Sequence, residues 1–97
     1  MQTIAFDVDG TLIDTDGNAR YDVLDLLRWF AQSGNWQIIV WSGGGVDYAR
    51  TIARRLGLQQ YGVRFGTKFC DPVDIAVDDG DGIDPSKQLN AKVIIKV

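Results

Sequence analysis

Asp7 and Asp9 stand two residues apart where an apolar run ends, in TIAFDVDGTLIDTDG over residues 3 to 17. Carboxylates held this close raise each other's pKa unless something offsets their repulsion. An ionised one can attack an electrophilic centre, and one that keeps its proton can protonate a leaving group. A second acidic pair, Asp78 and Asp79, follows the apolar run VDIAV, Ser42 follows the run IIVW, and Lys68 lies in a loop between them. Four converging carboxylates would push their supports apart without a cation to neutralise them. The chain has no histidine and a single cysteine, which leaves oxygen ligands and points to a hard ion such as Mg²⁺. A phosphate group would complete the set, reaching the metal, Lys68, the Ser42 hydroxyl and backbone N–H groups of the Gly43–Gly45 run.

Convergence requires particular elements. Short apolar runs alternate with amphipathic stretches, and no internal repeat is visible. TIAF (Thr3 to Phe6) reads as a first strand, and YDVLDLLRWFAQSG as a first helix with Val23, Leu24, Leu27 and Phe30 or Ala31 on one face and Gly34 as its stop. WQIIVW, residues 36 to 41, is a second strand. VDYARTIARRLG is a second helix with Ala49, Ile52, Ala53 and Leu56 on one face and Gly57 closing it. GVRF, VDIAV and KVIIKV read as further strands, and GTKFCDP between the third and fourth is too short for more than a loop or one helical turn. Strands alternating with helices predict an α/β fold. The expectation is a Rossmann-like three-layer sandwich with a small, mostly parallel sheet of about five strands and right-handed crossovers. In such sheets ligands bind beyond the carboxyl ends of the strands, where all of these polar residues fall.

Composition narrows the function. The 97 residues suit one domain with its own core. Ten Lys and Arg against 13 Asp and Glu give a net charge of −3, so no clear patch for nucleic acid or anionic membrane is expected. The beginning lacks the charged head and apolar stretch of a signal peptide, and no run approaches the roughly 18 residues of a membrane span. With Cys70 alone, no internal disulfide can form, which suits a reducing, cytoplasmic setting. The missing histidine removes a Ser-His-Asp triad and histidine zinc sites.

The sequence resembles the haloacid dehalogenase superfamily of phosphohydrolases. DVDGT at residues 7 to 11 matches the family's first motif, Ser42 after IIVW the second, Lys68 the third, and Asp78-Asp79 after IAV the fourth, in the family's order. The resemblance implies a single catalytic domain over residues 1–97, acting as a Mg²⁺-dependent phosphomonoesterase. Asp7 would be the nucleophile that becomes an aspartyl-phosphate, Lys68 would help keep it ionised, and Asp9 would be the general acid and base. It implies metal ligation by the Asp7 side chain, the Asp9 backbone carbonyl and the acidic pair, with Asp79 the closer ligand and Asp78 in support. Gly10 and Thr11 would shape the turn beside the bound phosphate. Many relatives insert a cap domain where this chain has gaps of about ten residues, enough for a hairpin flap. An uncapped site suits a phosphorylated substrate that is macromolecular, or a small ligand covered by a second subunit of a homo-oligomer.

Plainer readings stand beside these. Lys68 reads equally as a surface lysine, Ser42 as the cap of the second helix, and Arg50, Arg54 and Arg55 as a solvated face. Cys70 reads as a small buried hydrophobe, because the spacing of cysteine phosphatases would need arginine where Ala76 stands. DTDG at 14 to 17 reads as a hairpin turn, Asp81 and Asp84 as loop acids, and Trp29, Trp36 and Trp41 as core anchors, with Trp41 at the border of the pocket. Two functional alternatives remain: a signalling domain that stores an aspartyl-phosphate, and a binding protein that keeps phosphate and metal but has lost turnover. Receiver domains of the first kind carry the acidic pair after the first strand and the acceptor after the third, the reverse of the order here.

Overall fold

The computed structural model describes residues 1–80 and 89–97, so Asp81 and Asp84 lie outside the described residues. Five strands, Gln2–Asp7 (β1), Trp36–Trp41 (β2), Arg64–Phe65 (β3), Val73–Asp78 (β4) and Ala91–Lys96 (β5), form one sheet in the order β3-β2-β1-β4-β5. Every neighbouring pair is parallel, so the α/β, Rossmann-like class is as the alternation predicts, with a wholly parallel sheet. The central strands are apolar because parallel strands are covered on both faces: Ile4, Ala5 and Phe6 in β1 are fully buried.

Two helices follow the first two strands, Tyr21–Ser33 (α1) and Val46–Arg55 (α2). Val23, Leu27 and Phe30 recur every three to four residues and form the buried stripe of α1, which stops at Gly34 with φ 79°, a left-handed turn that costs glycine little. Ala49, Ile52 and Ala53 form the buried stripe of α2. Both stripes join Ile4, Phe6, Ile38, Val40 and Val77 in the main core. Cutting fully buried Leu27 to alanine would cost about 2–5 kcal/mol. Ala5, Trp41, Val73 and Ala76 form a smaller cluster, with Ile39, Leu89 and Ala91 against it. There the chain leaving β3 runs close, since a Cβ on Gly66 would sit 3.1 Å from Ile39 Cγ2.

Three details depart from the sequence expectations. The third strand shrinks to two residues, because a 3-10 helix over Leu58–Tyr61 and left-handed Gly62 take up the chain before it. Leu56, the C-cap of α2, continues its face and packs partly buried against the main core. Trp29 is not a core anchor: it lies off the Val23/Leu27/Phe30 stripe and is 63% exposed, touching Phe30 edge-on at 5.1 Å. Trp41 is fully buried and Trp36 half-buried, as expected of anchors. Cys70 does not pack as a hydrophobe but is exposed on the turn after β3.

The topology places the site. From β1 the chain moves through β2 to β3 on one side, and β4 and β5 lie on the other, so the connections leaving β1 and β4 diverge and open a crevice. Phe6 pairs with Val77 in the β1–β4 ladder, which brings the next residues, Asp7 and Asp78, side by side. Asp7 pairs with Trp41 in β2, which sets Ser42 one step beyond.

Candidate active site

After Asp7 the chain folds back on itself. The N–H groups of Thr11, Leu12 and Ile13 all donate to Val8 O, at 3.2, 3.0 and 3.1 Å. Gly10 makes the bend possible with φ 79°, and the space of its missing side chain is taken by Asp79: a Cβ there would fall on the Asp79 carboxylate. Arg20, just before α1, donates from Nη1 to Gly10 O at 2.9 Å and ties the bend to the helix start.

Lys68 reaches this point from a single helical turn, in which Cys70 N and Asp71 N donate to Thr67 O and the Asp71 carboxylate accepts from Thr67 N. Phe69 takes φ 74°, a strained conformation for a non-glycine residue, in the turn that presents Lys68. Lys68 Nζ lies 3.0 Å from Asp7 Oδ1 and 3.1 Å from Asp78 Oδ2, with its side chain 12% exposed. The surface-lysine reading therefore does not hold. Burial pushes the Asp7 carboxyl up to about 6, opposed by the Lys68 hydrogen bond and charge and assisted by the charge of Asp78. Burial acts to lower the Lys68 pKa, but the hydrogen bond and charge of Asp7, with Asp78, outweigh it and leave the ammonium above its usual range.

Asp7, Asp78 and Asp79 each offer a carboxylate oxygen within 4.8 Å of the others, close enough to share one ion. Asp78 is 2% exposed, and its Oδ1 accepts from Gly80 N at 2.9 Å. Its Oδ2 lies 3.1 Å from Lys68 Nζ. Three clustered carboxylate donors fit a hard ion such as Mg²⁺. Asp79 lines the open cleft, with Asp78 behind it.

Ser42 is buried at the end of β2, and its Oγ accepts from Gly44 N at 3.0 Å. It does not cap α2: Gly45, with φ 100°, holds that position with no side-chain cap. Gly43 and Gly44 line the cleft beside it. Asp9 also lines the cleft, and its Oδ1 accepts a 2.7 Å hydrogen bond from Tyr48 Oη, in the first turn of α2. That bond, with partial burial, holds the Tyr48 phenol above its usual pKa. Thr11, expected beside the phosphate, is fully buried in the back-folded turn and outside the cleft, and its Oγ1 has no hydrogen-bond partner. Trp41 likewise lies outside the cleft, and its buried Nε1 is without a partner.

The cleft holds about 610 Å³. Asp14 and Thr15 form part of its rim from the hairpin expected of DTDG, where Asp14 Oδ1 accepts from Asp16 N and Asn18 N, and Ile13 and Ala19 pair antiparallel. Arg54 and Arg55 are exposed, Arg55 donating to Gly17 O across to this hairpin, and Arg50 pairs with Asp47 and lies over Phe65. The arginines of α2 are thus largely a solvated face.

The structure brings together Asp7, Asp9, Gly10, Ser42, Gly43, Lys68, Asp78 and Asp79, drawn from the carboxyl ends of four strands and the connections after them, and leaves Thr11 aside. Sequence reasoning missed Tyr48 and Arg20. A signal for Tyr48 did exist in GGGVDY, since a Cβ on Gly44 would lie 3.2 Å from Tyr48 Cδ2: the glycine leaves room for the ring. Set against protein-family models, curated proteins and solved structures, the chain matches none. Among the described residues no helix is long and apolar enough to cross a membrane.

Proposed function

We propose that this chain is a Mg²⁺-dependent phosphomonoester hydrolase of the haloacid dehalogenase type, with residues 1–97 as one uncapped catalytic domain. The observation that carries the reading is Lys68 in contact with both Asp7 and Asp78, beside Asp79, at the switch point of a parallel sheet. Asp7, Asp78, Asp79 and the Asp9 carbonyl would hold the ion, which when bound neutralises the phosphoryl oxygens.

The chain's own groups do the rest. Lys68, the Ser42 hydroxyl and the Gly43 N–H bind the phosphoryl oxygens. Ser42 Oγ already accepts from Gly44 N, which leaves its own proton to donate. An Asp7 oxygen attacks phosphorus while the bond from phosphorus to the leaving oxygen breaks, and Asp9 gives its proton to that oxygen. Asp9, now ionised, takes a proton from water as the water oxygen bonds phosphorus and the bond to Asp7 breaks, which restores both residues. The open cleft supports a phosphate carried on a larger molecule, and the exposed thiol of Cys70 supports a cytoplasmic setting.

Phosphate release from nitrophenyl phosphate with Mg²⁺ tests the reading. Wild type turns over, and Asp7→Asn is slower by about 10³-fold or more. Equal rates, or no turnover by wild type across aryl and alkyl esters, would refute it. A phosphorylated Asp7 that does not decay would mark the storing alternative instead.

A further inference from the structure

We propose that Tyr48 is a positioning residue that sets which oxygen of Asp9 exchanges protons with the substrate. The proposal rests on the phosphohydrolase reading, in which Asp9 is the acid and base. Asp9 is exposed, on a turn, and among the described residues its side chain accepts one hydrogen bond, the 2.7 Å bond from Tyr48 Oη to Oδ1. A carboxyl group without that bond would rotate about both side-chain torsions and present either oxygen to the cleft. With Tyr48 donating, Oδ1 is occupied as an acceptor and Oδ2 is left to carry the proton.

The tyrosine is itself held. It sits in the first turn of α2, packs over Gly44, which lines the cleft, and is 36% exposed. Any side chain on Gly44 would crowd the ring at 3.2 Å and Ser42 Oγ at 3.4 Å. The bond joins the connection after β1 to the helix after β2. In the first step the proton on Oδ2 goes to the leaving oxygen as its bond to phosphorus breaks. In the second, the same oxygen takes a proton from the attacking water. Tyr48 keeps its own proton throughout.

The readout follows from the leaving group. An alkoxide leaves poorly without protonation, whereas nitrophenoxide needs little help, so a misdirected acid harms alkyl esters selectively. Wild type, Tyr48→Phe, Asp9→Asn and the double variant are compared on ethyl phosphate and on nitrophenyl phosphate, with Mg²⁺, alongside Asp7→Asn. The expected result, read in single turnover, is that Tyr48→Phe slows phosphorylation of Asp7 by about tenfold with ethyl phosphate and by less than about twofold with nitrophenyl phosphate, while hydrolysis of the aspartyl-phosphate, common to both esters, slows to the same extent after either. In the Asp9→Asn background, Tyr48→Phe adds no further loss. Equal slowing of the phosphorylation step with both esters, no slowing at all, or additivity with Asp9→Asn would each overturn the proposal while Asp7→Asn, if inactive, left the underlying reading standing. Turnover unaffected by Asp7→Asn would remove both.

Discussion

Lys68 Nζ stands 3.0 Å from Asp7 Oδ1, and the pair is almost wholly out of water. Without the ammonium, burial next to Asp78 would drive Asp7 toward its protonated, non-nucleophilic form. Lys68→Met should therefore lower kcat on nitrophenyl phosphate by about 10²–10³-fold, from lost charge stabilisation and a less ionised nucleophile. Steady-state phosphate release with saturating Mg²⁺ checks this, and a loss under about threefold would place Lys68 outside the chemistry.

The same burial makes Asp7 a pH-dependent element of the metal-free fold. Its folded pKa, about 6, exceeds the 3.8 of a free aspartate, so between these values the folded state binds more protons than the unfolded. The contribution of Asp7 is then most favourable below about pH 4 and is lost as pH rises through about 6. In EDTA, urea unfolding of Asp7→Asn should gain stability relative to wild type by up to about 3 kcal/mol between pH 4 and 7, since asparagine cannot ionise. A difference that stays level across that range contradicts the burial argument.

Mg²⁺ should reverse this loss at neutral pH. Binding only the folded chain, it raises the melting temperature with the logarithm of its concentration above the dissociation constant. Asp79→Asn should abolish the rise, because it removes one of the three clustered donors. An equal rise in both proteins would move the ion elsewhere.

Gly10 and Asp79 are coupled by space. Gly10→Ala places a Cβ on the Asp79 carboxylate and forces a side chain into φ 79°. The expected outcome is destabilisation of at least about 1–2 kcal/mol together with loss of the Mg²⁺-dependent melting shift. Unchanged Mg²⁺ affinity in a folded Gly10→Ala protein would show that Asp79 does not need its observed position.

Thr11 supplies an opposite case. Its Oγ1 is buried and without a partner, so Thr11→Val removes a cost and no bond. Stability should stay level or rise by about 1 kcal/mol, with kcat unchanged, as measured by denaturant unfolding and phosphate release. A fall of more than about 1 kcal/mol, or a lost activity, would restore Thr11 to the binding site.

How far the sequence carried the structure depends on whether a signal was local. The stripe of α1 and the left-handed stop at Gly34 are written in consecutive residues, and the strands β1, β2 and β4 in apolar runs bounded by polar ones. The alignment of Asp7 with Asp78 follows from parallel pairing in register, which motif spacing already suggests. Trp29 and Cys70 were misplaced because composition favours their burial, while the phase of α1 and the single turn after β3 decide it. The Tyr48–Asp9 bond joins residues 39 apart in sequence, on two connections whose approach only the packed sheet defines.

The most direct test is to follow Asp7 itself. Wild-type protein is mixed with a phosphate ester and Mg²⁺, quenched in acid at intervals, digested and weighed by mass spectrometry. The account predicts a phosphoryl group on the peptide carrying Asp7 that forms before phosphate is released, then decays with it. Phosphate released at the same times, with that peptide unmodified at every quench and the label on another residue or on none, would contradict it.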